Sequence, residues 1–412
     1  MRVLTTTTPS RSSVQPAISL CRALHEAGHD VLIAIAPNYT EVVRRAGLEA
    51  VGAGPAWDHA EADQFIPGWI GMPSHAYMAT MAEVAGRGIV EDVLPLAESW
   101  QPDVIVHVHH DLGGWIVAER LGIPNVPFAV SLRWLDPGLL RMFAGQQVEN
   151  LLARYDLPPD PEFSRPTRWL YLETAPRPLT EGFFPEAPTV HHVRYVSDDT
   201  EGDPSLPTWI DELAGRRLVY VTMGTVFNRV GNLLRTLTQG AAMHDVEVIV
   251  THGGGVDLAD LGELPPNVHV EAYVPHSSLI PRCAAVVCQA SAANVFGALA
   301  EAVPLVLTPL TADQPANASL CVQKGFGVSC ATSLSPGETF PATDPDELTP
   351  EQVADALGAV LDSDSYVAAV RGAAEAIRSE APITHAVTLI EQLVATGAPV
   401  EHSLTVTTGK AD

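Results

Sequence analysis

Apolar runs and amphipathic stretches alternate along the first half of the chain. Short apolar runs predict strands at 3–6, 31–36, 104–106 and 126–130, and amphipathic stretches predict helices at 17–27, 42–46 and 114–121. A strand, a helix and a second strand in succession form part of a parallel sheet, because the helix carries the chain back across the sheet. The first half therefore predicts a doubly wound α/β domain.

The second half repeats this alternation after a break in composition. Residues 197–217 are rich in Asp, Glu, Gly, Pro and Ser, which is typical of a solvated linker between domains. Beyond it the pattern predicts a helix at 231–243 and strands at 218–222, 246–251, 268–273, 284–287 and 303–308. We therefore predict an α/β fold with two doubly wound parallel-sheet, Rossmann-like domains that face a central cleft, where ligands bind at the carboxyl ends of the strands.

The same pattern sets the predicted domain boundaries. We place the first domain at 1–205 and the second at 206–385. Residues 386–412 are expected to form a C-terminal helix and tail that can pack back on the N-terminal domain.

Composition and charge narrow the class of protein. The 412 residues are 46% hydrophobic, and no apolar run is long enough to cross a bilayer. The N-terminus lacks the apolar core of a signal peptide, so we expect a cytoplasmic protein. Five cysteines without a CxxC pair favour reduced thiols over disulfides or a zinc site. The net charge of −26 makes nucleic acid and membranes unsuitable partners.

Two short stretches of the second half suit a nucleotide. Tyr273, Val274 and His276 surround a proline that ends a predicted strand, where a flat base can dock. Small residues at 289–294 open a predicted helix, and the free N–H groups of a helix N-terminus attract a diphosphate. These stretches predict a nucleotide site at the edge of the second sheet.

Two further pairs extend this candidate site. Asp313 and Gln314 offer hydrogen-bond acceptors and a donor that suit vicinal sugar hydroxyls. Gly224 and Thr225 follow a predicted strand and are expected to face the phosphates or the acceptor. Each group also has an ordinary structural interpretation, as a helix cap or a polar turn, and both interpretations stay open. The candidate binding residues are Gly224, Thr225, Tyr273, Val274, His276, Gln289, Ser291, Ala292, Ala293, Asn294, Asp313 and Gln314.

Several motifs occur in a fixed order along the chain: Gly28-His29-Asp30-Val31, Val221-Thr222-Met223-Gly224-Thr225, Tyr273-Val274-Pro275-His276 and Asp313-Gln314-Pro315-Ala316-Asn317-Ala318. This series resembles the GT1-type glycosyltransferases of bacterial natural-product pathways. The resemblance implies the GT-B fold, with the acceptor on the first domain and a nucleotide-sugar donor on the second. It implies an inverting enzyme that moves a sugar, often a deoxysugar, from a dTDP- or UDP-sugar to a small-molecule aglycone without a metal or another cofactor. A homodimer is left open.

Two positions depart from the pattern of that family. Gln289-Ala290-Ser291 stands where the family usually has a His-Gly-Gly turn, so a charge-assisted bond to phosphate gives way to a neutral amide. Ser13 stands where many members carry the histidine that acts as general base, and a serine alone is no base at neutral pH. Other candidates follow the strand at 104–106. The catalytic candidates are thus Ser13 by position, with His107, His109, His110 and Asp111 as sources of a base.

The acceptor and two rival functions complete the predictions. Aromatic residues in the irregular segment 52–86 can wrap a flat, aromatic or polyketide-like acceptor; they are Trp57, Phe65, Trp69 and Tyr77. The loss of two usual histidines motivates a rival interpretation, an inactive GT-B relative that acts as a binding or activating subunit. A nucleotide-sugar epimerase of the same architecture is the second rival.

Overall fold

The computed structural model of the protein describes residues 1–56, 58, 76, 79–80, 84, 86–133, 135–185, 187–199, 205–334 and 339–402. The acceptor-site candidates Trp57, Phe65, Trp69 and Tyr77 lie outside these residues, so the role predicted for them stays a prediction.

The first domain is built on a parallel sheet of seven strands. They are β1 (Arg2–Thr6), β2 (Asp30–Ile35), β3 (Glu49–Gly52), β4 (Val104–Val108), β5 (Asn125–Phe128), β6 (Tyr171–Glu173) and β7 (Val190–His192), in the order β3-β2-β1-β4-β5-β6-β7. The helices are α1 (Arg11–Glu26), α2 (Thr40–Arg45), α3 (Gly86–Trp100), α4 (Leu112–Leu121), α5 (Pro137–Arg154) and α6 (Arg177–Thr180). The central strand, β1, pairs through Val3 with Val31 on one side and Val104 on the other.

The second domain has a parallel sheet of six strands. They are β8 (Leu218–Thr222), β9 (Glu247–Thr251), β10 (Val268–Glu271), β11 (Cys283–Cys288), β12 (Leu305–Leu307) and β13 (Gly327–Ser329), in the order β10-β9-β8-β11-β12-β13. The helices are α7 (Trp209–Glu212), α8 (Gly231–Ala242), α9 (His276–Leu279), α10 (Ala292–Ala300), α11 (Gln314–Gln323), α12 (Pro350–Leu361), α13 (Asp364–Ser379) and α14 (Ile383–Thr396).

Each sheet is buried on both faces. Val3 and Val104 belong to one apolar cluster of the first domain, whereas their neighbours Leu4 and Ile105 belong to another. Successive side chains of a strand point to opposite faces, so strands covered by helices on both sides must be apolar throughout. This is why uninterrupted apolar runs, and not alternating ones, predict these strands.

The last helix returns to the first domain. Helix α14 begins at Ile383, slightly before the predicted C-terminal segment, and packs against α1. Leu389 and Ile390 enter the same apolar cluster as Leu20 of α1. The end of the chain therefore helps to bury the first domain. The domain boundaries themselves stay predictions.

The link between the domains is anchored at two successive residues. Asp198 pairs with Arg22 of α1 at 2.5 Å. The carboxylate of Asp199 accepts hydrogen bonds from the Ser277 backbone N–H at 2.9 Å and from Ser277 Oγ at 2.6 Å in the second domain. The two domains are thus tied together beside the space between their sheets.

Candidate active site

The carboxyl ends of the two sheets face each other across a cleft. The first domain lines it with loops that follow β1, β4 and β5, and the second with loops that follow β8 to β12. All twelve candidate binding residues line this cleft, together with Ser13 and His110. The structure therefore brings these residues to one place, while their contacts with a ligand stay predictions.

The loops after β8 and β11 interlock at Gly224 and Gln289. Gly224 has a φ of +69°, and a β-carbon there would lie 2.2 Å from Gln289 Nε2, so another residue would strain the backbone and displace the Gln289 amide. Gln289 Nε2 donates to the carbonyl of Met223 at 2.6 Å, and its Oε1 accepts from Asn294 Nδ2 at 3.3 Å. In this conformation Gln289 holds the turn in place through both ends of its amide.

Helix α10 begins in the cleft. Its N-cap residue, Ser291, makes no capping hydrogen bond with its side chain, and Asn294 bonds to Gln289 instead. Simple capping therefore does not explain these two residues. A helix of this length carries unpaired N–H groups and a positive dipole at its N-terminus, which suits a diphosphate. The preceding residue, Ala290, has a left-handed φ of +67°, a strained conformation that is common near functional sites.

Asp313 and Gln314 lie beside this helix terminus. Burial raises the pKa of Asp313 to about 6, and a hydrogen bond from Asn317 Nδ2 at 3.0 Å opposes the rise. Gln314 Oε1 accepts two backbone N–H groups, from 2.9 and 3.3 Å away. The Gln314 amide nitrogen is therefore the end of the side chain left to donate, next to an accepting carboxylate, as sugar hydroxyls require.

The predicted base-docking residues form one rim of the cleft. Val274 is buried, whereas Tyr273 is 37% exposed and lies under the Arg11 guanidinium, 5.4 Å from its ring centroid. His276 Nδ1 lies 3.4 Å from the Asp199 carboxylate. Burial lowers the pKa of His276 and the Asp199 charge opposes this, so the ring is neutral at pH 7.

Buried hydroxyls form the opposite wall. Ser13 Oγ accepts hydrogen bonds from Thr8 Oγ1 at 2.9 Å and from Ser10 Oγ at 3.0 Å. Ser10 Oγ also lies 3.2 Å from Ser12 Oγ. Thr8, Ser10 and Ser13 are each at most 3% exposed. This wall is polar and uncharged at the position where the family usually has a histidine base.

Among the predicted sources of a base that follow β4, His110 lines the described part of the cleft. Burial lowers its pKa to about 4, so the ring is neutral but weakly basic. His109 is fully buried behind it, and its Nε2 lies 3.0 Å from the hydroxyl of Ser131, which does line the cleft. His109 therefore contacts the cleft only indirectly, through Ser131 and through the ring of His110, whose centroid lies 4.1 Å away.

His107 and Asp111 are not brought to the cleft. Both are fully buried. His107 Nε2 lies 3.4 Å from Asn125 Nδ2, and the Asp111 carboxylate is the N-cap of α4, accepting from Gly113 N at 2.9 Å. The Asp–His pairing predicted at this strand end thus corresponds to packing and helix capping, and the prediction of a base narrows to His110.

Few charged side chains line the described part of the cleft. Among the described residues that line it there is no Lys or Arg, and the one carboxylate is Asp313. The described part of the chain also holds no group of three His, Cys, Asp or Glu residues that could bind a metal ion. None of its helices is sufficiently long and apolar to span a membrane. Backbone N–H groups, hydroxyls and amides are thus the groups at hand for an anionic ligand.

Comparisons with known proteins agree with this geometry. Residues 235–393 match the family described as Erythromycin biosynthesis protein CIII-like, C-terminal domain. The elloramycin glycosyltransferase ElmGT of Streptomyces olivaceus is 29% identical over 398 residues, covering 92% of this chain and 94% of ElmGT. The crystal structure of the glycosyltransferase SnogD from Streptomyces nogalater is 26% identical with a TM-score of 0.75, over 96% of this chain and 99% of SnogD. The glycosyltransferase SsfS6 of Streptomyces sp. SF2575, solved with thymidine diphosphate, is 26% identical with a TM-score of 0.72, over 95% and 99% of the two chains.

The chain is a GT-B glycosyltransferase. Its two parallel sheets and its similarity to GT1-type enzymes of bacterial natural-product pathways confirm the predicted fold and family resemblance. A nucleotide-sugar-dependent transferase is confirmed as the class of enzyme, and the inactive relative and the epimerase gain no support.

Sequence reasoning missed several residues of the glycosyltransferase cleft. Thr222 and Thr251 end β8 and β9, and Thr251 Oγ1 donates to Thr222 Oγ1 at 2.9 Å. Thr222 Oγ1 also accepts from Gly224 N at 3.1 Å and so supports the turn above it. The signal that could have found them is their place at the carboxyl ends of strands. The missed residues are Ser10, Ser12, Gln15, Val130, Ser131, Tyr220, Thr222, Val226, Phe227, Thr251, Gly253, Ala272 and Ala312.

Proposed function

We propose that this glycosyltransferase moves a sugar, in particular a deoxysugar, from a dTDP- or UDP-sugar to a small natural-product aglycone, with inversion and without a metal or another cofactor. One observation carries the proposal: the α10 N-terminus, Asp313 and Gln314 lie side by side on one cleft wall, opposite Ser13 and His110. The names of relatives support the substrate classes, since ElmGT is an elloramycin glycosyltransferase and SsfS6 was solved with thymidine diphosphate.

The second domain would hold the donor. Its base docks at Tyr273 and His276, its diphosphate at the N-terminus of α10, and its sugar hydroxyls at Asp313 and Gln314. Negative charge develops on the diphosphate as it leaves, and preorganised N–H groups stabilise developing charge without reorganisation. The lack of Lys and Arg in the described lining makes this helix terminus the main source of that stabilisation.

The first domain would hold the acceptor on the other face of the sugar. An acceptor oxygen or carbon there attacks the anomeric carbon opposite the leaving diphosphate, and one displacement through an oxocarbenium-like state inverts the configuration. His110, neutral at pH 7, is the predicted base that lines this side. The two walls therefore divide the reaction. The second-domain side, with the α10 N-terminus, Asp313 and Gln314, is the donor wall, and the first-domain side, with Ser13 and His110, is the acceptor wall.

Calorimetry with dTDP and UDP tests this proposal. We expect micromolar binding of one nucleotide to the wild type, and at least about tenfold weaker binding to the double variant Gln289→Ala/Asn294→Ala, because α10 loses the amide pair that fixes its N-terminus. The double variant Gln146→Ala/Asn150→Ala is the matched control, since it removes a similar amide pair, 3.1 Å long, from α5. No binding of either nucleotide to the folded wild type would sink the proposal.

A further inference from the structure

The hydrogen bonds among the buried hydroxyls of Thr8, Ser10 and Ser13 all run toward Ser13. A serine hydroxyl has two lone pairs and one proton. Thr8 and Ser10 both donate to Ser13 Oγ, so both lone pairs of Ser13 are occupied. No acceptor for the Ser13 proton is found among the residues that the structure describes around it, and Ser13 lines the cleft. Ser13 is therefore a hydrogen-bond donor toward a ligand and cannot take up a proton from it.

The surroundings of Ser13 favour a negatively charged oxygen. Ser13 lies in the first turn of α1, a helix of 16 residues whose first turn contains no acidic residue. The positive end of its dipole therefore acts on the same point as the Ser13 proton. Because Ser13 is 3% exposed, water screens this interaction weakly.

The cleft also lacks a strong base for an unreactive hydroxyl. Its described titratable groups are His110, Tyr220, Tyr273, His276 and Asp313. Burial lowers the pKa of His110 to about 4, and Asp313, whose pKa burial raises to about 6, lies on the donor wall beside Asn317. An aliphatic alcohol, with a pKa of roughly 16 like that of water, would keep its proton here. A phenol, with a pKa of about 10 or below, would not need a strong base.

We propose that the acceptor of this enzyme is an acidic hydroxyl, a phenol or an enol, which binds as its anion with Ser13 donating a hydrogen bond to the ionised oxygen. This inference rests on the proposed function and names the acceptor class of the same site. The serine at this position thus changes the wall from one that removes a proton to one that holds an oxygen already deprotonated.

The reaction then balances without a strong base. The acceptor releases its proton to bulk water before it is enclosed, and its anionic oxygen attacks the anomeric carbon. A bond from that carbon to the acceptor oxygen forms as the bond to the diphosphate oxygen breaks, and the electron pair leaves with the nucleoside diphosphate. The Ser13 proton stays on Ser13 throughout.

Two probes that share one ring system test this inference. The compound 2-hydroxyanthraquinone is a flat phenol that changes colour when it ionises, and 2-(hydroxymethyl)anthraquinone carries an aliphatic alcohol on the same rings. With the enzyme saturated by the nucleotide that it binds, we expect the phenol to titrate at least about one pH unit lower when bound than when free, because a donated bond stabilises the anion. With the nucleotide-sugar we expect kcat/KM at least about a hundredfold higher for the phenol than for the alcohol.

Variants of α1 assign the effect to Ser13. Ser13→Ala should abolish the spectral shift and lower kcat/KM for the phenol about tenfold, with unchanged affinity for the nucleotide. Ser19→Ala is the matched control, because the Ser19 hydroxyl bonds back to the Gln15 carbonyl at 3.3 Å within the same helix; it should keep the shift and the rate.

The outcomes separate this inference from the proposed function. If the enzyme binds the nucleotide but takes the phenol in its neutral form, binds neither probe, or uses the alcohol as well as the phenol, the acidic-acceptor inference is overturned while the transferase proposal stands. A shift that survives in Ser13→Ala overturns the role of Ser13. Failure to bind any nucleotide contradicts the proposed function instead.

Discussion

The two walls of the cleft recognise ligands by different means. The donor wall relies on backbone shape: Gly224, Ala290 and Ala312 have φ values of +69°, +67° and +57°, and a helix begins between them. The acceptor wall relies on side chains, with the hydroxyl of Ser13 and the neutral ring of His110. Left-handed turns restrict which residues fit, whereas a hydroxyl and a ring can be exchanged without a change of the main chain.

This difference explains the two departures from the family pattern. At Gln289 the turn is held by bonds to Met223 and Asn294, so the loss of a histidine leaves the helix terminus in place. At Ser13 the side chain is itself the functional group, so the change from histidine alters the chemistry. The glutamine at position 289 thus preserves the shape of the donor wall, whereas the serine at position 13 changes the chemistry of the acceptor wall.

The largest expected effect concerns the donor wall. Gly224→Ala places a β-carbon 2.2 Å from Gln289 Nε2 at a left-handed φ of +69°, so the Gln289 amide must leave its bond to Met223 and the turn loses that support. We expect nucleotide affinity to fall about a hundredfold, or about 3 kcal/mol, as measured by calorimetry.

Gly122→Ala is its control, because Gly122 has a φ of +67° and open space around its β position. It should lower the melting temperature, since a left-handed alanine costs about 1–2 kcal/mol, and leave nucleotide affinity unchanged. Equal losses of affinity in both variants would show that the donor wall does not depend on the shape of this turn.

The core of the first domain, behind the acceptor wall, should be sensitive to acid. Burial lowers the pKa of His107 to about 4, while an unfolded histidine titrates near 6.5. The unfolded state therefore binds more protons between these values, and His107 removes stability as the pH falls below 6.5. Asp111, with its pKa raised by burial to about 6, and Asp313 on the donor wall act with the opposite sign, so a variant is needed to isolate one group.

The variant His107→Gln isolates the contribution of His107. We measure the free energy of unfolding of this variant and of the wild type with urea at several pH values. The value for the variant minus the value for the wild type should increase by about 1.4 kcal/mol per pH unit as the pH falls from about 6 to about 4.5. His25→Gln, at an exposed position, should differ from the wild type by a small and constant amount. A constant difference for His107→Gln as well would mean that burial of this ring is not what titrates.

The architecture could be predicted from the sequence because the central strands are long and apolar. Short strands toward one edge of the first sheet were missed: β6 and β7 have three residues each, and Glu173 and His192 interrupt their apolar character. Glu173 is buried in β6 because it pairs with Arg133 at 3.2 Å, a contact across 40 residues that no local pattern contains. Tertiary pairing, rather than propensity, decides such strands.

The site shows the same limit. The position of a residue at the end of a strand could be predicted, and it brought His110 and the candidates near Gln289 to the cleft. The direction of each side chain could not, since neighbours on β4 and its loop alternate between cleft and core. His107 and Asp111 accordingly lie in the interior, where they meet Asn125 and the first turn of α4.

The smallest expected effect links the two loops of the donor wall. Asn317 Nδ2 donates to the Ala290 carbonyl at 2.9 Å and to Asp313 Oδ2 at 3.0 Å. Asn317→Ala should cost about 1 kcal/mol of stability and raise the pKa of Asp313 further above 6, because a bond to its charged form is lost. Affinity for the nucleotide-sugar should then decline with falling pH from a higher pH than in the wild type, a difference of a few-fold near pH 6.5 that closes near pH 8.

Two controls decide what such a shift means. Affinity for the nucleoside diphosphate, which has no sugar, should follow the same pH dependence in Asn317→Ala and the wild type, because Asp313 is proposed to bind the sugar alone. Asn232→Ala, which removes an exposed hydrogen bond to Asp346, should change the affinity for neither ligand. If both ligands weaken together in Asn317→Ala, the Ala290 turn carries the effect and the donor wall acts through shape even at its carboxylate. If only the affinity for the nucleotide-sugar changes, the Asp313 carboxylate itself binds the sugar, and at this residue the donor wall recognises its ligand by a side-chain charge and not by the main chain.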